Sequence, residues 1–478
     1  MSAGTGFWKR AQVLKFTGKI AVAVLAASGL TIGAGQAHGS PLLDPPRSSE
    51  ILSEAPDIDG AVHAGTAKGT GQITEAATRE EFRYGTGVRR GSDPEVGTMN
   101  VFTPADPSGR VLTYIPPTDS LYAGDAPSHQ LDRRSLSEGD VERINAALAD
   151  GVTVIVPDAY GDRSPQYAGE MNGVRIVNAV EAYRNSPGHA PVTEVTCYGF
   201  SGGGIDCARV AEYRHADGRV DLVIIDSGPT DLGGFLAEPG AQNGLGWSAF
   251  VGVERSMTAD QRSVLYDNLR PSAVVFTKAV SALGDAVPVP GLVSTVMTYG
   301  GVLFPLPLGA AGKSGAIDNP EVHELMTDIS PGTPDQPYSG TVVFRYNDTD
   351  VYVPPQVHSA PLAQRYRDQG SDVVVVTNHG AMTPGHEMLG SDELVDYLNG
   401  DIPADGVRTD SEPLTAEQRQ EDAMMTALYD GIAAHGENLT RLSGPILDDL
   451  DRVVVAVDEG IDRLTGHRGP STPGSRHR

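Results

Sequence analysis

A serine hydroxyl becomes an effective nucleophile when a histidine takes its proton and a carboxylate orients that histidine. Three stretches of this 478-residue chain hold those residue types in usable positions. Gly199-Phe200-Ser201-Gly202-Gly203 follows the buried-strand pattern Pro191–Tyr198 and precedes a helical pattern marked by Ile205, Cys207, Ala208 and Ala211. A serine on such a strand-to-helix turn has its hydroxyl held clear of the sheet, and the helix start aims N–H groups where an oxyanion would develop. In a chain with 57 glycines the bare G-x-S-x-G string means little, so the setting carries the reading. Downstream, the strand pattern 341–346 runs into Asn347-Asp348-Thr349-Asp350-Val351-Tyr352-Val353-Pro354. Asp348 and Asp350 both stand just past a strand end, where an orienting carboxylate belongs. The strand Val373–Thr377 then runs into Asn378-His379-Gly380-Ala381-Met382-Thr383-Pro384-Gly385-His386, which offers two candidate bases. His358 falls in the helix after the acid loop and lacks that placement.

These loops need a scaffold, and the apolar pattern supplies one. Val111–Ile115, Val152–Pro157, the strand before Ser201 and Val220–Ile225 are short Val/Ile-rich runs. Between them lie helical patterns over Asp140–Ala149, with Val141, Ile144, Ala147 and Leu148 on one face, and over Gly173–Arg184. Continuous apolar strands alternating with helices predict a mostly parallel sheet covered on both faces, an α/β fold. The alternation stops over 228–338 and resumes with 341–346, a helix over 358–369, the strand 373–377 and a helix over 391–399. The predicted core is therefore 96–227 with 339–400, and 228–338 is a largely helical cap or lid inserted between two strands. Residues 38–95, rich in Gly, Pro, Ser and Thr, are expected to form an N-terminal arm. Residues 401–478 read as a helical C-terminal extension with Leu428, Ile432, Leu439, Leu442, Ile446, Leu447 and Leu450 on a stripe, ending in a disordered tail.

Residues 1–37 have the pattern of a cleavable signal peptide. Lys9, Arg10, Lys15 and Lys19 precede the run Ile20–Ala27, and Gly35 and Ala37 are small residues near a cleavage point. The expectation is secretion, with association to the cell envelope as a variant of the same export. The formal charge is −26. Without the leader, 32 basic residues face 62 acidic ones, which excludes nucleic acid as a partner. The two cysteines, Cys197 and Cys207, flank the serine turn, and their spacing leaves buried thiols and a disulfide both open. No metal site is expected.

With elbow, acid loop and histidine loop in place, the chain resembles the secretory lipase family, of the lipase A type, over roughly 95–400. The segment Thr118-Asp119-Ser120-Leu121-Tyr122-Ala123-Gly124-Asp125-Ala126-Pro127-Ser128 is similar to the family's D-S-x-x-x-x-C-A-P-S. Pro157-Asp158-Ala159-Tyr160-Gly161 resembles a shortened form of its D-x-x-G turn, and the serine turn its G-Y-S-G-G elbow. The resemblance implies an α/β-hydrolase fold and assigns the oxyanion hole to the backbone N–H groups of Asp119 and Gly202. It selects Asp350 over Asp348, because Asp350-Val351-Tyr352-Val353-Pro354 fits the family's D-x-x-V-P. It favours His386 over His379, since the family's histidine stands a few residues before the last helix. Asp125 replaces the family cysteine before A-P-S, so the disulfide of fungal members cannot form there.

The expectation is a secreted carboxylic ester hydrolase, a lipase or esterase acting on acylglycerol-like lipids through a Ser201–His386–Asp350 triad and an acyl-enzyme. No cofactor is implied; the partner is the lipid or other ester, with transient contact between the cap and a lipid interface. A secreted serine peptidase, a cell-envelope acyltransferase and a hydrolase-like binding protein without activity are the alternatives.

Overall fold

The computed structural model describes residues 49–51, 63–90, 93–117, 126–158, 170–213, 216, 218–237, 250–255, 257–275, 277–278, 320–332, 337–379, 385–408 and short stretches between 419 and 456. The leader, Asp119 and its loop, most of the 228–338 insertion, and the residues named for the C-terminal stripe lie outside that set.

The chain opens with β1 (Ser49–Ile51), β2 (His63–Lys68), β3 (Thr78–Arg90), β4 (Asp93–Thr103) and β5 (Arg110–Ile115). Then come α1 (Pro127–Arg133), α2 (Glu138–Ala149), β6 (Thr153–Pro157), α3 (Glu170–Asn185), β7 (Glu194–Phe200) and α4 (Gly202–Glu212). β8 (Leu222–Asp226) leads into α5 (Leu232–Ala237), α6 (Ala259–Asn268) and α7 (Pro320–Asp328). β9 (Thr341–Asn347), α8 (Ser359–Asp368), β10 (Asp372–Asn378), α9 (Ser391–Leu398) and β11 (Gly406–Arg408) complete the described elements.

Among the described residues all strands join one sheet in the order β1-β3-β4-β6-β5-β7-β8-β9-β10-β11, with β2 also paired to β3. From β6 to β11 every pairing is parallel, whereas β3–β4 and β4–β6 are antiparallel. Successive side chains of a strand point to opposite faces, and here both faces are buried. Val195 and Cys197 of β7, Val223 and Ile225 of β8, and Val342 and Phe344 of β9 pack with residues of α3, α4 and α8. Tyr198, Phe200, Leu222, Ile224 and Val343 face the other way, toward Leu131, Ile144, Ala147, Leu148, Leu394 and Tyr397 of α1, α2 and α9. That is why these strands read as unbroken apolar runs. In the described part of the insertion α7 packs on α5 and α6, and residues 250–255 and 271–275 are helical as well.

The stretch read as an N-terminal arm differs. From His63 onward it is an antiparallel part of the sheet rather than an appendage, and β3 alone spans thirteen residues. Phe82, Tyr84, Thr86 and Val88 are buried at every second position, while Arg83 is exposed. An antiparallel edge with one wet face mixes charges into its strands, so a search for continuous apolar runs passes over it.

Cys197 on β7 and Cys207 on α4 form a disulfide with Cα atoms 6.0 Å apart. It ties the strand that enters the serine turn to the helix that leaves it.

Candidate active site

Ser201 stands between β7 and α4 with φ 53° and ψ −117°. A non-glycine residue held there is strained, and strain of this kind collects at functional sites. The turn is close-packed: a Cβ on Gly199 would lie 2.0 Å from the Gly203 carbonyl oxygen, and one on Gly203 2.4 Å from that of Ile115. Neither position accepts a side chain. The Ser201 N–H donates to the carbonyl of Asp226 at 2.8 Å, which fixes the turn on the end of β8. Gly202 opens α4, whose first N–H groups have no acceptor within the helix.

The four remaining candidates, Asp348, Asp350, His379 and His386, arrive from two neighbouring loops. Nε2 of His386 lies 3.0 Å from Ser201 Oγ. Its Nδ1 lies 2.7 Å from Asp350 Oδ2. The other carboxylate oxygen of Asp350 accepts the N–H groups of Tyr352 at 2.9 Å and Val353 at 2.8 Å, so the acid is fully engaged and buried. The His386 ring sits between Phe200, centroids 4.7 Å apart, and Tyr352, 5.8 Å apart. Two aromatic walls and two hydrogen bonds leave the imidazole one orientation. The loop beneath is tight as well: Gly385 has φ +66°, and a Cβ there would meet Thr349 at 2.5 Å.

His379 does not reach the serine. It pairs through Nδ1 with Asp348 Oδ2, and both side chains are exposed. The sequence offered two acids and two histidines; the structure sorts them into two pairs, and only Asp350–His386 meets Ser201. His358 stands at the N-cap position of α8, and its Nδ1 accepts the Asp231 N–H at 3.1 Å. Burial pushes its imidazole down to about 4, against the pull of Asp231 and Asp350, so it is neutral near pH 7.

Asp158, from the shortened D-x-x-G turn, is buried at the end of β6 and accepts from the N–H and hydroxyl of Ser128 at 2.8 and 2.6 Å. It thereby anchors the A-P-S segment at the start of α1. Sequence reasoning passed over Asp226 and Arg345, which lie paired under the site. The available signal was a charge inside a buried strand: Arg345 interrupts Val342-Val343-Phe344 and Tyr346. Among the described residues no cluster of His, Cys, Asp and Glu has metal-binding geometry.

The parallel sheet with helices on both faces and the serine turn after β7 define the chain as an α/β-hydrolase in fold. Two solved structures share that fold at low identity. Candida antarctica lipase A aligns with TM-score 0.58 and 14% identity over 84% of this chain and 95% of its own. The rice cell wall degrading esterase LipA of Xanthomonas oryzae aligns with TM-score 0.52 and 15% identity over 69% of this chain and 93% of its own. Residues 133–227 match the model of the secretory lipase family. A Mycobacterium tuberculosis protein named "Probable inactive lipase" is 31% identical over 153 residues, 30% of this chain. The match spans 34% of that relative's length.

Proposed function

We propose that the protein hydrolyses carboxylic esters, with Ser201 as nucleophile, His386 as base and Asp350 as the orienting acid. The observation that carries this reading is the continuous chain of hydrogen-bond distances, 3.0 Å from Ser201 to His386 and 2.7 Å from His386 to Asp350. Ser201 Oγ attacks the ester carbonyl carbon while its proton passes to His386 Nε2. Asp350 holds the Nδ1–H tautomer and stabilises the imidazolium. The oxyanion forms opposite the N–H of Gly202, with that of Asp119 as the second donor. Collapse expels the alcohol, which takes the proton from His386. A water molecule then repeats the sequence on the acyl-enzyme and releases the acid.

The substrate class is a lipid or other acyl ester, in keeping with the secretory lipase match, and the cap is the element that meets the acyl chain or a lipid surface. Export is part of the same reading: the basic and apolar leader pattern fits it, and a disulfide suits an oxidising compartment. One observation favours a second reading, a hydrolase-like binding protein: the relative at 31% identity carries the word inactive in its name. The intact Ser201–His386–Asp350 geometry weighs against it here.

A series of p-nitrophenyl esters of increasing acyl length tests the proposal. The wild-type chain should hydrolyse them, Ser201→Ala should not, and a fluorophosphonate should label only the wild type. A folded wild-type protein inert to every ester and to the fluorophosphonate overturns the reading in favour of the binding protein.

A further inference from the structure

Asp226 ends β8 and Arg345 lies beside it in register on β9. Their side chains are 0% and 5% exposed and 3.1 Å apart. Burying two charges costs several kcal/mol per ion before their attraction offsets it, and apolar residues of the same volume often serve stability as well. The partners of this pair point to a use other than stability. Asp226 Oδ2 accepts the Tyr198 hydroxyl at 3.0 Å and the Leu389 N–H at 2.7 Å. The Asp226 carbonyl accepts the Ser201 N–H at 2.8 Å. Arg345 donates to the Glu387 carbonyl at 2.5 Å. It also donates to the Asn378 amide oxygen, oriented toward it, at 2.6 and 3.1 Å. Burial opposes the charge on Arg345, but Asp226 and Glu393 outweigh it and hold its pKa above the ordinary value, so the guanidinium keeps its charge.

Residues 385–390 belong to no helix or strand, so no ladder fixes their backbone. Side chains do it instead. The Glu387 carbonyl is taken by Arg345, the Leu389 N–H by Asp226 and the Leu389 carbonyl by Arg143. These groups lie one and three residues beyond His386. The backbone carbonyl of Asp226 holds the Ser201 turn, and Arg345 stands five residues before Asp350. We propose that Asp226 and Arg345 are positioning residues for the triad: one buried ion pair sets the His386 loop against the serine turn. The inference rests on reading Ser201, His386 and Asp350 as that triad. Neither group touches His386, so neither acts on the proton. The effect is geometric, and a misplacement of about 1 Å in a catalytic group costs about 100-fold in rate.

Two variants, with Arg345→Met as a comparison, test it in the full-length protein on a p-nitrophenyl ester. Asp226→Asn removes the charge at constant shape, and Arg345→Lys keeps the charge but loses the fork that reaches Glu387 and Asn378. In folded protein kcat should fall about 10- to 100-fold with KM within about twofold. The acid limb of the kcat/KM pH profile should move, because His386 is no longer held squarely on Asp350. Arg345→Lys should retain more activity than Arg345→Met. A merely structural pair would lower the thermal midpoint and leave kcat and the pH profile of the folded fraction unchanged. That result overturns the inference while the Ser201→Ala loss leaves the hydrolase reading intact. Failure of both variants to fold assigns the pair to the fold and also overturns it. A wild type inert to all esters removes the hydrolase reading and this inference together.

Discussion

Two Asp–His pairs stand side by side at the end of the same two strands, built from acids two residues apart and histidines seven residues apart. Asp350–His386 is enclosed, with side chains 0% and 16% exposed; Asp348–His379 is open, at 41% and 40%. The chemistry is the same and the surroundings are opposite. In the enclosed pair the acid's second oxygen is held by two backbone N–H groups and the imidazole by two aromatic rings. Interactions in such a water-poor setting are strong and directional. In the open pair water competes for both partners and salt screens them, so the contact is worth about 0–1 kcal/mol. Burial and the third partner, Ser201, make one pair a candidate catalytic dyad and leave the other a loop fastener.

The sharpest way to break this contrast is to remove each histidine. His386→Ala should lower kcat on a p-nitrophenyl ester by about 10⁴- to 10⁶-fold with little change in KM. His379→Ala should stay within about twofold, and the double variant should match His386→Ala. A large loss in His379→Ala would mean that the open pair takes part in the reaction. The acids come next: Asp350→Asn should cost about 10³- to 10⁴-fold in kcat through loss of the correct tautomer, against a few-fold for Asp348→Asn.

A smaller effect sharpens the role of burial. Below pH 6.5 the unfolded chain protonates His358, while the folded chain refuses the proton until about pH 4. Native stability conferred by this neutral histidine is therefore complete above 6.5 and falls by up to about 3 kcal/mol as pH drops to 4. Urea midpoints across that interval should fall in the wild type and fall less in His358→Asn. An equal slope in both would show that His358 titrates normally. Smallest of all, 1 M NaCl should lower stability through the Asp348–His379 pair by less than about 1 kcal/mol and leave kcat unchanged. A steep loss of kcat with salt would contradict the open pair's minor role.

Much of this was legible in the chain. The Val/Ile strands after residue 110 are buried on both faces and announce themselves without partners, and Ser201 between strand and helix patterns stands where the structure has it. The strands of 63–103 escaped because charged and polar residues break up their apolar runs, Arg79, Glu80, Glu81 and Arg83 in β3 and Thr98 and Asn100 in β4. Asp226 and Arg345 escaped because each is an isolated charge until β8 and β9 pair in register. The cysteine spacing was compatible with thiols or a disulfide, and only the packing of α4 on β7 brings the two sulfurs together.

The sequence by itself determined the alternation of strand and helix, the strained serine turn with its obligatory glycines, and the two loops that carry acids and histidines. Those are local properties: apolar periodicity, glycines on both sides of the serine, and residue types near strand ends. Which acid meets which histidine, and which pair meets the serine, is a matter of ångströms between residues about 30 to 185 positions apart. Only the assembled sheet, with its buried ion pair holding the loop after His386, decides such distances, because they depend on register and burial that no single segment contains.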